Sequence, residues 1–110
     1  MITRGRSSAL LARAASAYAS RREGLIGELA ARGIRAIERS GLAVWVPVAD
    51  ELTTTRALAD RGWAVAPGER FRITAPPAIR IATSTLTARE AALLAADLQA
   101  ILRRQPRRGE

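Results

Sequence analysis

Apolar positions along this chain fall into helical stripes separated by runs that alternate. Over residues 7–32, Leu11, Ala15, Tyr18, Leu25 and Leu29 recur at steps of three, four and seven, which lines them along one side of a long helix. Gly33 is placed to stop it. Gly24 and Gly27 each weaken that helix by about 1 kcal/mol relative to alanine and mark where a break or kink would fall. Residues 34–37 form a short strand candidate. After the Ser40-Gly41 turn, Leu42, Val44, Val46 and Val48 alternate with Ala43, Trp45 and Pro47. That alternation predicts an inner strand with two unequal apolar faces and Pro47 near its end.

Asp50 can cap a helix over residues 51–61, with Leu52 and Leu58 marking its buried side and Gly62 its left-handed stop. The run Thr53-Thr54-Thr55 is a poor helix former. Residues 63–66 read as another strand, closed by the turn pair Pro67-Gly68, and Phe71 and Ile73 begin a further extended segment. Beyond the stiff Pro76-Pro77 pair, residues 79–84 alternate. Ile79 and Ile81 lie on one face, and Arg80, Ala82 and Ser84 on the other. Thr87 and Glu90 form a capping-box pair ahead of Leu94, Leu98, Ile101 and Leu102, which predicts an amphipathic C-terminal helix. The order is α-β-β-α-β-β-α, one α+β unit with its helices packed on one face of a sheet.

A chain of 110 residues has room for a single core. Apolar residues make up 48% of it and its mean hydropathy is near zero, as in a folded water-soluble domain. No apolar run approaches a membrane span and no signal peptide is evident, so the cytoplasm is the expected compartment. The chain contains no cysteine, no histidine and no lysine; all 18 basic residues are arginines. A Ser/His/Asp triad, a zinc site of the usual ligands, a Walker loop and a Schiff-base amine are therefore out of reach. Arginine stays charged and works by forked recognition of carboxylate or phosphate, so binding is expected rather than bond-making. The net charge of +8 keeps a stand-alone nucleic-acid-binding module as an alternative. Against it, the arginines are scattered, aromatic residues are few, and the densest cluster, Arg103-Arg104-Gln105-Pro106-Arg107-Arg108, is a terminal run of the kind that is usually solvated.

The segments SGLAVWVPVADE, RGWAVAPGERFR and PPAIRIATSTL, spanning residues 40–86, together resemble the C-terminal small domain of fold-type-I pyridoxal-phosphate-dependent aminotransferases. Weaker resemblance extends from Tyr18 through the last helix. Within that superfamily the wording is closest to the aminotransferase-like half of MocR regulators, GntR-class proteins that couple a winged-helix DNA-binding domain to a pyridoxal-phosphate domain. The resemblance implies a small, mostly antiparallel sheet. It also implies an interdomain-type long helix over residues 1–33, a small domain over 34–103 and a basic tail over 104–110. Met1 falls where relatives have the helix joining their large and small domains, so the chain is expected to be a truncated reading frame, a mis-assigned start or an isolated domain.

The same resemblance assigns roles. Arg80 matches the strand arginine that grips a substrate's α-carboxylate; a guanidinium on a rigid strand between two isoleucines suits that task, since few rotamers are left to lose. Phe71, in the turn Pro67-Gly68-Glu69-Arg70-Phe71, is the second candidate substrate-binding residue, with core packing as its other reading. Trp45 and Trp63 are expected to be packing anchors, and Arg70 and Arg72 solvated charges. The cofactor-anchoring lysine, the aspartate on the pyridine nitrogen and the phosphate loop belong to the large domain in relatives and have no counterpart here. The chain alone is thus expected to be non-catalytic and to bind no cofactor. Pyridoxal phosphate, an amino-acid or amine ligand, DNA through a separate N-terminal domain and a homodimeric partner would belong to the complete protein. A plain aminotransferase without a regulatory half is the other alternative within the family.

Overall fold

The computed structural model describes residues 4–37, 43–68 and 77–105. Phe71, Arg70, Arg72, the Ser40-Gly41 turn and the basic tail beyond Gln105 lie outside the described residues. The first helix, α1 (Arg4–Ala31), runs for 28 residues, or about 42 Å at 1.5 Å per residue. It continues unbroken through Gly24 and Gly27, where an added Cβ would meet nothing within 4 Å. Neither glycine answers a packing demand among the described residues. The helix closes on Gly33 at φ 74°, with the Gly33 N–H donating to the Ala30 carbonyl at 3.0 Å and the Ile34 N–H to the Leu29 carbonyl at 2.9 Å. This pair of bonds is the Schellman arrangement, which needs a left-handed residue and so favours glycine.

Among the described side chains of the apolar stripe foreseen along α1, burial lies toward its C-terminal end: Leu25 and Leu29 are fully enclosed, whereas Ala15 and Tyr18 are exposed. The rest of the described domain is too short to accompany the helix along its whole length: the last helix, α3 (Ala88–Arg104), has 17 residues, about 26 Å.

Between these helices lie β1 (Ala43–Pro47), α2 (Glu51–Asp60), β2 (Ala66–Pro67) and β3 (Ala78–Ala82). The strands form an antiparallel sheet in the order β1-β3-β2. The α+β class, the one-faced helix layer and the approximate element order agree with the sequence pattern, with three adjustments. The strand foreseen at residues 34–37 is reduced to one bridge, Ile37 to Trp45. The strand foreseen at 63–66 begins three residues later, at Ala66, because Trp63 is occupied in closing α2. And β3, not β1, is the middle strand of the described sheet; among the described residues β1 meets a bridge partner on its outer side at Ile37.

One face of the sheet carries Val44, Val46, Ile79 and Ile81. They meet Leu25 and Leu29 of α1, Leu58 of α2, and Ala91, Leu94, Ala95, Leu98 and Ile101 of α3 in a continuous core. α2 contributes through Glu51, Thr54 and Leu58, spaced three and four apart. Leu52, foreseen on this side, is instead 54% exposed, because one residue of helix rotation carries it off the stripe. Asp50 caps α2 by accepting from the Thr53 N–H at 3.0 Å. The buried Thr54 is accommodated because its hydroxyl donates to the Asp50 carbonyl at 2.8 Å and accepts from Gln105 Nε2 at 3.1 Å.

The end of α2 is fastened to α3. Gly62 at φ 92° and the bond from the Trp63 N–H to the Leu58 carbonyl, 2.9 Å, repeat the Schellman closure. This delivers Arg61 and Trp63 to one carboxylate: Arg61 Nη1 lies 2.8 Å from Asp97 Oδ1 and Trp63 Nε1 2.7 Å from Asp97 Oδ2. The indole N–H first, and then the guanidinium, hold the Asp97 carboxyl below the ordinary aspartate range. At the start of α3, Thr87 and Glu90 form the capping box foreseen from sequence.

Candidate ligand site on the helix-free face

With every described helix on the valine and isoleucine side, the alternate residues of each strand form a second, differently composed face. Opposed residues in a sheet point the same way. The row running across the sheet is therefore Ile37, Trp45, Arg80 and Ala66, from the bridge and the strand registers. The neighbouring rows place Ala43 opposite Ala82 and Pro47 opposite Ala78. Arg80 thus stands on the middle strand, with alanine two residues away on either side of it along β3, alanine on β2 and tryptophan on β1. It is half-buried, while Ile79 and Ile81 beside it in sequence point into the core. The alternation foreseen from sequence holds, and the role of Arg80 as ligand-binding residue depends on what comes to this face.

The strand that carries Arg80 is anchored at its beginning. Glu51, at the first position of α2 and buried, accepts from the Ala78 N–H through Oε1 at 3.1 Å, and the Val48 N–H donates to the Pro77 carbonyl at 3.1 Å. At the far end Arg21 of α1 donates from Nη1 to the Ser84 carbonyl at 2.6 Å. Carboxylates bonded to backbone N–H groups fix main chain strongly, so β3 is held on both sides of Arg80. A side chain on a fixed strand loses less conformational entropy on binding than one on a loop.

Trp45 takes a place that sequence pattern alone does not assign. It is buried, as a packing anchor should be, yet it lies on the face away from the helix-packed core, whereas Trp63 packs against that core. Its ring reaches Gly68: a Cβ built on Gly68 would come 2.8 Å from Trp45 Cζ3 and 2.7 Å from the Ala78 carbonyl oxygen. Gly68 follows β2, on the far side of β3 from β1. The indole therefore leans across the middle strand beside Arg80. Part of the signal is present in the sequence, since Trp45 belongs to the alternate set with Ala43 and Pro47, but the facing of β1 against β3 is not.

The fold and this face define a small α+β domain whose middle strand presents an arginine on an alanine floor beside an indole. Among the strand residues that the registers place on that face there is no hydroxyl and no carboxylate group. The chain is similar to the vitamin B6 salvage pathway transcriptional repressor PtsJ of Salmonella typhimurium strain LT2, with 37% identity over 89 residues, 79% of this chain. The match covers 21% of the repressor, so the chain spans about a fifth of that protein's length. No protein-family model and no solved structure matches the chain. Among the described residues no helix is long and apolar enough to cross a membrane.

Proposed function

We propose that this chain is the aminotransferase-like C-terminal small domain of a cytoplasmic transcriptional regulator, and that Arg80 binds the carboxylate of an amino-acid ligand. The observation that carries the reading is the place of Arg80: middle strand, helix-free face, half-buried, between alanines and an indole. A guanidinium so placed offers two parallel N–H donors in a fixed plane, which suits a planar carboxylate better than a point charge would. The similarity to a repressor of vitamin B6 salvage supports the regulatory half of the proposal. It also agrees with the cofactor that the sequence resemblance implies, since pyridoxal phosphate is a form of vitamin B6.

The chain's own residues do not fit that cofactor. With no lysine anywhere in the sequence, covalent attachment through a side-chain amine cannot occur on this chain, and no chemical step is assigned to it. In this proposal the cofactor, the DNA-binding elements and the dimer contacts belong to the remainder of a longer polypeptide. Arg80 then draws this domain toward the bound ligand, and the closure biases the DNA-binding state. A ligand can shift such an equilibrium only by its preference for the closed form, and that preference is what Arg80 supplies. The test is chemical. The complete regulator should bind an amino acid but not the corresponding amino-acid amide, which has the same size without the negative charge; equal binding of the two removes carboxylate recognition from the proposal.

A further inference from the structure

Trp45 spends its backbone on Ile37. Its N–H donates to the Ile37 carbonyl at 2.9 Å and its carbonyl accepts from the Ile37 N–H at 2.6 Å. In an antiparallel sheet both backbone groups of a residue point to the same side, so the Trp45–Arg80 pair is the non-hydrogen-bonded kind. In such pairs the Cα atoms approach to about 4.5 Å and the side chains lie closer than in the alternating hydrogen-bonded pairs. On the other side of Arg80, Ala66 has only a methyl group to offer. Among the described residues the surroundings of the arginine are thus asymmetric, bounded by an indole toward β1 and by a methyl group toward β2.

The indole has its own seat. Gly68 has no side chain, and even one added carbon there would overlap both Trp45 Cζ3 and the Ala78 carbonyl. The backbone of Ala78 is in turn tied to the buried Glu51. Such a wall cannot retreat without moving main chain.

We infer that Trp45 is the positioning residue of the Arg80 site: seated against Gly68 and Ala78, its indole sets the orientation of the Arg80 guanidinium on the helix-free face. The inference rests on the carboxylate reading for its biological meaning but is separately testable. An aromatic face beside a guanidinium attracts it through the ring quadrupole, and a ring fixed by packing turns that attraction into direction. Trp45 makes no demand on the ligand's chemistry beyond the carboxylate that Arg80 takes.

The test uses nuclear magnetic resonance of the 110-residue chain, reading the Arg80 Nε–Hε signal without ligand and then with acetate titrated against chloride at constant ionic strength. In the wild-type chain the Arg80 signal is expected to be displaced from those of solvated arginines by the ring current of Trp45. Trp45→Leu should return it to the solvated position and weaken the acetate response about three- to fivefold. Trp45→Phe, which restores a ring, should recover part of both. An Arg80 signal that is the same in wild-type and Trp45→Leu chains overturns the positioning role. If Trp45→Leu fails to fold, the Phe variant decides, because an Arg80 signal unmoved by the smaller ring overturns the role equally. A wild-type chain with a displaced Arg80 signal but no saturable acetate response would remove the carboxylate reading while leaving the positioning role standing.

Discussion

Replacing Gly68 by alanine adds one methyl group at the point where β2, β3 and Trp45 meet. The backbone there is not in the left-handed region, which among the described glycines is confined to Gly33 and Gly62, so the effect of Gly68→Ala is one of volume alone. The new Cβ would stand 2.7 Å from the Ala78 carbonyl oxygen and 2.8 Å from Trp45 Cζ3, both well inside the contact distance of about 3.5 Å at which attraction is greatest. The carbonyl belongs to a strand whose start is bonded to Glu51, so relief must come from parting β2 and β3 or tilting the indole. Overpacking of this kind costs about 1–3 kcal/mol, and the reduced freedom of the unfolded chain returns about 0.4–1 kcal/mol. The central expectation, about 2 less about 0.7, is a loss of about 1.3 kcal/mol. Urea unfolding is the assay, with a midpoint lowered by roughly 0.5–1 M at an unchanged slope of about 2 kcal/mol/M. Combining Gly68→Ala with Trp45→Leu should give less than the sum of the two single losses, because the second substitution removes one of the overlapping partners. A Gly68→Ala chain as stable as the wild type, or more stable, would refute the close approach and with it the seat assigned to Trp45.

Other outcomes follow from the packing. Leu58→Ala, at a fully buried position, should cost about 2–5 kcal/mol, while Leu52→Ala on the same helix, 54% exposed, should stay within about 0.5 kcal/mol; thermal denaturation of the two variants separates the assigned stripe from its alternative. Asp97→Ala should cost about 2 kcal/mol, most of it from the Trp63 indole bond and little from the half-exposed pair with Arg61, and a double-mutant cycle with Trp63→Phe should show coupling between the two positions. Because the folded-state pKa of Asp97 is lowered, its contribution is complete above the unfolded value of about 3.9 and is lost as pH falls through the lower folded value. The gap between wild-type and Asp97→Ala stability should therefore narrow progressively as pH falls below about 4, and a gap of unchanged size in acid contradicts the assignment.

Much of the fold is legible in the sequence because local signals and packing agree. Asp50, Gly62, Thr87 with Glu90 and the Ile79-Arg80-Ile81 alternation each carry a mechanism that operates within a few residues, and each appears as foreseen. The misplacements share a different cause. Ala15 and Tyr18 are apolar at helical spacing, but periodicity cannot say how far the neighbouring layer extends, and among the described residues it ends near Leu25. Leu52 suggests itself for the buried side by its hydrophobicity, whereas Glu51 and Thr54, being polar, do not; both are buried because specific bonds to Ala78, Asp50 and Gln105 satisfy them. In the site, Arg80 is marked by residues adjacent in sequence. For Trp45 the sequence conveys burial but not the side of the sheet, since its facing depends on the pairing of β1 with β3, two segments more than thirty residues apart, and on a glycine whose role is visible only in three dimensions.

The guanidinium of Arg80 carries the functional reading, and the most direct measurement is the equilibrium affinity of the proposed full-length regulator for an amino acid with and without that side chain. Loss of one partner from a hydrogen-bonded charge pair costs about 2–5 kcal/mol, so Arg80→Ala should weaken binding about thirtyfold or more, with Arg80→Lys recovering only part of it because a point charge lacks the paired donors. Unchanged affinity in Arg80→Ala, in a protein that remains folded, would contradict the role assigned to that side chain.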